Sequence, residues 1–357
     1  MSIKVNIEER QLHFRQPAGT SRGVYTERRI WLVTMSDGER TGVGECAPLP
    51  QLSCDDIPNY ESVLRRFCDI VQQTGQIPYD DLRDYPSMLF GLETAWLSLH
   101  ATPHTQSENA TPHSQGGLPQ LFDTPFSRGE EGIPINGLVW MGTFDEMRQR
   151  IEQKLEQGFR CIKLKIGAID FDSELALLKQ IRQRFGPLDV ELRVDANGAF
   201  TPDEALYRME LLSQYALHSI EQPIRAGQWG MLSDLCRESP LPIALDEELI
   251  GVNDPEQKRQ LLNIIRPRYI VLKPSLHGGM AGCREWIDIA RSMQIGSWIT
   301  SALESNVGLS AIAQFCSHVY GPAITRPQGL GTGQLFTDNI PMPLEIRNAR
   351  LWISSHS

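Results

Sequence analysis

From residue 3 to about residue 50, apolar and polar side chains alternate with period two, the spacing of strands with one buried face. The stretches 29–35 and 41–46 flank Ser36-Asp37-Gly38-Glu39, a turn-forming tetrapeptide that predicts a hairpin. Together they read as a meander of antiparallel strands. Residues 16–24 are rich in turn formers and small side chains, which predicts a loop able to close as a lid. Helices are expected at about 55–73 and 87–100, the second with Leu89, Leu92, Ala95, Trp96 and Leu99 at helical spacing as a core-facing stripe. Residues 101–132 are dominated by Pro, His, Thr, Ser, Gln and Gly. That stretch is too polar for a core and too long for an ordinary connection, so it reads as an irregular linker with His104 and His113 solvated.

After Ile133 the texture changes to short apolar runs alternating with amphipathic helices, the signature of βαβ units and a parallel sheet. Strands are expected at 135–139, 161–166, 190–194, 219–220, 243–245, 269–272 and 296–299, with a last one near 323–325. Helices fall between them near 143–157, 171–185, 201–213, 229–238, 254–264, 281–293 and 308–317. Seven or eight such units fit an α/β fold of the (β/α)7-8 TIM-type barrel. A doubly wound open sheet competes, but no Gly-x-Gly-x-x-Gly fingerprint follows a first strand.

Composition narrows the function classes. The 357 residues are 41% hydrophobic and 22% charged, which suits a globular chain and excludes global disorder. The net charge is −10, with no basic block, so neither nucleic acid nor an anionic membrane is an expected partner. An acidic substrate would need a local positive exception to that field. The seven cysteines are scattered and form no Cys-x-x-Cys pair, so no zinc ribbon or disulfide framework is indicated. With no charged-then-apolar leader after Met1 and no apolar run of about 18 residues, the cytoplasm is the expected location.

The chemistry lies at the strand ends. Lys163 and Lys165 are two residues apart and so share one side of a strand, with Leu164 facing the other way. The next strands end on Asp195, Glu221 and Asp246, and a further one on Lys273 before Pro274. From Lys165 onward these ions recur about every 25–30 residues, one βα unit each. Every one therefore falls at the carboxyl end of a successive strand, and in a barrel those ends converge on the catalytic face. One acid at a strand end is ordinarily a helix cap or a solvated loop residue. Five ions in register are not independent accidents.

Three carboxylates with room for water and substrate suit Mg²⁺ (or Mn²⁺) better than zinc. Proton removal beside a carboxylate makes an enediolate, and a dication at its oxygens stabilises it where the charge develops. Lys165 and Lys273 flank the three acids in sequence, so they are expected on opposite faces of the substrate. A lysine acting as base must be neutral, and Lys163 with the metal would lower its pKa. Asn197 is expected to touch a ligand rather than the metal. Glu247 and Glu248 read as a solvated pair and His277 as an exposed loop residue, without assigned roles.

Lys163-Leu164-Lys165, Asp195, Glu221, Asp246 and Lys273 resemble, without gaps, the motif of the enolase superfamily's muconate-lactonizing subgroup; superfamily sites of this kind use a Lys or His base with Mg²⁺. The resemblance implies an α+β capping domain around the barrel: residues 1–132 with lid loops and linker, 133–328 as the barrel, and 329–357 returning to the cap. Gly44-Glu45-Cys46-Ala47-Pro48-Leu49-Pro50 is similar to a segment of the o-succinylbenzoate synthases, and residues 301–309 and 329–332 resemble that family's closing part. The implied substrate is a small carboxylate, and the implied reaction is syn loss of water from 2-succinyl-6-hydroxy-2,4-cyclohexadiene-1-carboxylate in menaquinone biosynthesis. In it Lys165 would take the ring proton and return it to the leaving hydroxyl, while Lys273 stabilises the enediolate. N-acylamino acid racemases share similar segments and are the alternative. Dipeptide epimerases usually carry an Asp-x-Asp pair where this chain has Gly331-Thr332-Gly333, which counts against that activity. Arg22 or Ser21 is expected to contact the succinyl tail. Oligomeric state is left open.

Overall fold

The computed structural model describes residues 3–20, 23–101, 119–167, 169–322 and 324–354. The chain opens with an antiparallel sheet ordered β1 (Lys4–Thr20), β2 (Gly23–Ser36), β3 (Thr41–Cys46). The alternation of Ile3, Trp31, Val33 and Met35 supplies its buried face, which packs on α1 (Tyr60–Thr74) and α2 (Pro86–His100). Helix α2 lies so close to β3 that a Cβ at Gly42 or Gly44 would run into its backbone. Only glycine permits that approach.

Residues 16–20, expected as a loop, are strand. The β1–β2 ladder shifts register between His13 and Ala18 and then continues to Thr20 opposite Gly23. Turn-rich composition is overridden there by tertiary pairing: the Arg15 amide donates to the Leu335 carbonyl (2.8 Å), Phe14 bridges Phe336, and Ala18 is buried. Ser21 and Arg22, the expected tail contacts, lie outside the described residues, as do His104 and His113. Helix α1 starts at Tyr60, later than expected, because Asp55 spends its carboxylate on the Ser87 amide (2.8 Å) and hydroxyl (2.6 Å) instead of capping α1.

The second unit is an α/β barrel. Its parallel strands β5 (Gly137–Val139), β6 (Cys161–Lys165), β7 (Glu191–Asp195), β8 (Ser219–Glu221), β9 (Ile243–Leu245), β10 (Tyr269–Leu272) and β11 (Gly296–Ile299) are adjacent in sequence order. They alternate with α3 (Phe144–Glu156), α4 (Phe171–Arg184), α5 (Pro202–Ser213), α6 (Trp229–Glu238), α7 (Pro255–Ile265), α8 (Gly279–Ser292) and α9 (Asn306–Tyr320). Where the sequence suggested a last strand near 323–325, the described residues there form none, and two parallel bridges further along, Thr300 with Gly329 and Ile135 with Gln328, join the two ends of the curled sheet. Pro327 has no amide to donate to a ladder, and Gly329 lies so close to Thr300 that a Cβ there would collide with it.

A small sheet ordered β12 (Leu344–Arg347), β13 (Arg350–Ile353), β4 (Ile133–Pro134) brings the end of the chain to the start of the barrel. The barrel and the first sheet have separate apolar cores. A third apolar cluster joins them, with Leu12, Phe14, Ile30 and Leu49 from the first unit against Leu276, Ala302, Leu303 and Phe336. No helix among the described residues is long and apolar enough to cross a membrane.

Candidate active site

Register places the ions. Lys165 lies opposite Asp195, Asp195 opposite Glu221, and Glu221 opposite Ala244, so neighbouring strands present them at one level at the carboxyl end of the sheet. Asp246 follows β9 directly, and Lys273 follows β10. Strands β7, β8 and β9, which carry the acids, separate β6 from β10, which puts the two lysines on opposite flanks.

Asp195, Glu221 and Asp246 are buried, each with a carboxylate oxygen within 4.8 Å of the others'. Lys163 Nζ donates to both Glu221 oxygens (2.6 and 2.7 Å) and stands 2.9 Å from Asp195 Oδ2. Lys165 Nζ donates to Asp195 Oδ2 (3.0 Å) and Asn197 Oδ1 (2.7 Å), and Lys273 Nζ to Asp246 Oδ2 (2.5 Å). Buried Asp246 Oδ1 has no hydrogen-bond partner among the described residues. An all-oxygen donor set with an unsatisfied buried lone pair fits a hard divalent cation.

The electrostatics are those of one coupled cluster. Burial opposes the charge on Lys163, but Asp195, Glu221 and Asp246 outweigh it and raise its pKa. Burial opposes Lys273 likewise, and Asp246, Glu247 and Glu221 outweigh it. Burial would raise Asp195, yet Lys163 and Lys165 hold it below the usual carboxylate range. Asp246 is lowered too, Lys273 overcoming its burial, whereas burial and the Asp195 charge push Glu221 well above its ordinary value.

Lys163, Lys165, Asp195, Asn197 and Lys273 all face one cavity. Its mouth is covered by Tyr25, Leu49 and Leu52 from the first unit and by Leu303 from the loop after β11. Buried Arg28 fastens these covers together: it donates to the Ala47 carbonyl (2.6 Å), the Pro48 carbonyl and the Leu303 carbonyl (3.2 Å). Glu45 accepts from the amides of Ser305 and Gly308 (both 2.8 Å) and from the Ser305 hydroxyl (2.5 Å), capping α9 from the other unit. The segments 44–50 and 301–309, noted separately in the sequence, are thus two halves of one contact.

Several supporting residues escaped the sequence reading. Glu247 and Glu248 are buried rather than solvated. Glu247 Oε1 accepts from Asn197 Nδ2 (2.9 Å), so Asn197 bridges Glu247 and Lys165. Asn197 also donates its backbone amide to Asp195 Oδ1 (3.1 Å). His277 is buried rather than exposed: its Nδ1 accepts from the Lys273 amide (2.9 Å), and burial pushes its pKa down to about 3. Gln222, in the left-handed region at φ 39°, accepts from the amides of Asp246 and Glu248 (both 3.2 Å). Adjacency to Asp246 and Glu221 was a usable signal for Glu247 and Gln222, whereas nothing in local spacing pointed to Arg28.

Residues 146–356 match the family model described as Enolase C-terminal domain-like, and residues 20–99 match the one described as MenC, N-terminal domain. The chain is 44% identical to an o-succinylbenzoate synthase of Desulfotalea psychrophila, over 99% of both chains. The crystal structure of MenC from Desulfotalea psychrophila superposes with a TM-score of 0.80 at 40% identity, covering 99% of this chain and 100% of that one. A substrate-liganded L-Ala-D/L-Glu epimerase from Bacillus subtilis gives 0.81 at 20% identity, covering 99% of this chain and 96% of that one, a likeness of fold.

Proposed function

This chain belongs to the Enolase C-terminal domain-like family and, within it, to the o-succinylbenzoate synthases, and from that premise we propose that its rim cluster dehydrates 2-succinyl-6-hydroxy-2,4-cyclohexadiene-1-carboxylate to o-succinylbenzoate for menaquinone biosynthesis. The enzyme is a hydro-lyase acting on a small carboxylate. The observation that carries the site assignment is that Lys165, Asp195 and Lys273 face one cavity, with Glu221 and Asp246 each within 4.8 Å of Asp195 through a carboxylate oxygen. Asp195, Glu221 and Asp246 would hold a divalent cation, for which Mg²⁺ is our choice, and its charge would offset that developing on the substrate carboxylate.

The chain's own groups do the rest. Lys165 Nζ takes the ring proton beside the carboxylate, the C–O bond to the hydroxyl breaks, and the same ammonium returns the proton to the departing oxygen. One base on one face makes the elimination syn. Asn197, held by Glu247, aims Lys165 through a 2.7 Å hydrogen bond. Lys273 keeps its proton and faces the enediolate charge from the other flank, with His277 fixing its backbone. On this reading the barrel supplies the chemistry, and Tyr25, Leu49 and Leu52 of the first unit wall the cavity in.

The test is ultraviolet-monitored turnover of the cyclohexadiene carboxylate by purified protein with Mg²⁺, beside a chelator control. Fast, chelator-sensitive formation of o-succinylbenzoate is expected. A folded, metal-loaded protein without turnover would overturn the dehydratase reading. The paired lysines would also suit racemisation of N-acylamino acids, which would be read as exchange of the substrate α-proton with solvent deuterium.

A further inference from the structure

A dianionic substrate approaching a chain of net charge −10 is repelled unless its route carries local positive charge. Beside the substrate cavity is a second, more open pocket of about 520 Å³. Trp140 and Gly331 line both, so the two spaces share a wall, and on its inner side Lys165 Nζ stands 6.0 Å from the Trp140 ring centre. The walls of the outer pocket come from β1, from α3 and from the segments after Gly331 and after Leu344.

Among the described residues that line it, three are cations and none is a carboxylate: Arg15, Arg150 and Lys154. Arg150 is held in place by donating to the carbonyls of Trp140 (3.1 Å) and Met141 (3.0 Å). Glu146, the acid that feels Arg150, spends its carboxylate on the Thr143 amide (2.8 Å) and hydroxyl (2.9 Å). Lys154 is half-buried with Nζ 5.0 Å from the Phe159 ring centre and makes no ion pair among the described residues. Burial lowers its pKa, the mark of an ammonium short of a counter-charge. A partly buried cation with no carboxylate beside it gains most when an anion arrives.

We propose that this pocket is an anion-docking vestibule in which Arg15, Arg150 and Lys154 capture a carboxylate of the dicarboxylate substrate before it passes Trp140 into the cavity. The proposal rests on the dehydratase reading for the identity of the dianion, and its test separates the two. In Lys154→Met, kcat/KM at low ionic strength is expected to fall about 10-fold while kcat stays within about 2-fold, and the deficit shrinks as salt screens the charge. Lys154→Arg, which keeps the charge, restores kcat/KM. Wild-type kcat/KM in Lys154→Met at low salt overturns the vestibule, as does a Lys154→Arg variant no better than Lys154→Met. Should the wild type not turn the substrate over, calorimetric titration with succinate decides. Binding weakened about 10-fold by Lys154→Met but not by Lys154→Arg upholds the vestibule while the dehydratase reading falls. Equal succinate behaviour in all three proteins overturns it.

Discussion

Two sets of buried acids in this molecule are held in opposite ways. At the barrel rim, Asp195, Glu221 and Asp246 crowd together beneath a cavity, and an oxygen of Asp246 is left without a hydrogen bond. At the junction of the two units, both oxygens of Glu45 are consumed by donors at the start of α9, and those of Glu93 by the amides of Met280 (2.6 Å) and Ala281 (3.0 Å) at the start of α8. Burial alone therefore does not mark a chemical site. The rim acids are held by side-chain ammonium groups, whereas the junction acids are held largely by backbone amides fixed in the starts of two helices. One arrangement keeps carboxylate oxygens available; the other spends them as acceptors that join two units.

The sharpest break between the clusters comes from Lys165→Ala. Its turnover is expected to fall by at least about 10²–10⁴-fold, the usual weight of a positioned base, while a metal titration stays unchanged. Substantial residual activity would remove Lys165 from the base role. A second contrast is thermodynamic. Divalent metal at about a hundredfold excess over its Kd should stabilise the wild type by about 2.7 kcal/mol in urea unfolding, and Asp246→Asn should lose most of that gain. A metal effect that survives in Asp246→Asn would take that residue out of the ligand set. The smallest effect belongs to the junction: Glu45→Ala leaves the Ser305 and Gly308 amides buried without an acceptor, so it should cost about 2 kcal/mol of stability. The metal-dependent increment should persist in that variant, and its disappearance would show that the two clusters act as one.

Much of the rim was readable before any coordinates. A strand's period of two put Lys163 and Lys165 on one side, and the length of a βα unit put the later ions on one face. Both are local rules, carried by short stretches of chain. The junction obeys no such rule. Glu45 meets Ser305 across 260 positions, and Arg28 meets Leu303 across 275, with no repeat to connect them. Residues 16–20 have a composition that suits a turn, but the β1–β2 ladder continues through Ala18 opposite Tyr25 to Thr20 opposite Gly23, while the preceding Phe14 and Arg15 meet the distant Phe336 and Leu335. Glu247 and His277 looked solvated because their side chains are polar and follow strands, yet the loops that carry them fold back over the cluster.

By itself the sequence determined the class of fold, the order of its units and the five ions at the carboxyl ends of the barrel strands, because each follows from periodicity within a strand or from the repeat of one unit after another. Tertiary structure alone decided which acids remain available, which are spent on helix ends, how the barrel closes at Gln328 and Gly329, and where three cations gather outside Trp140. Those outcomes depend on which distant groups meet, and hydrogen bonding and desolvation act only between groups that have met.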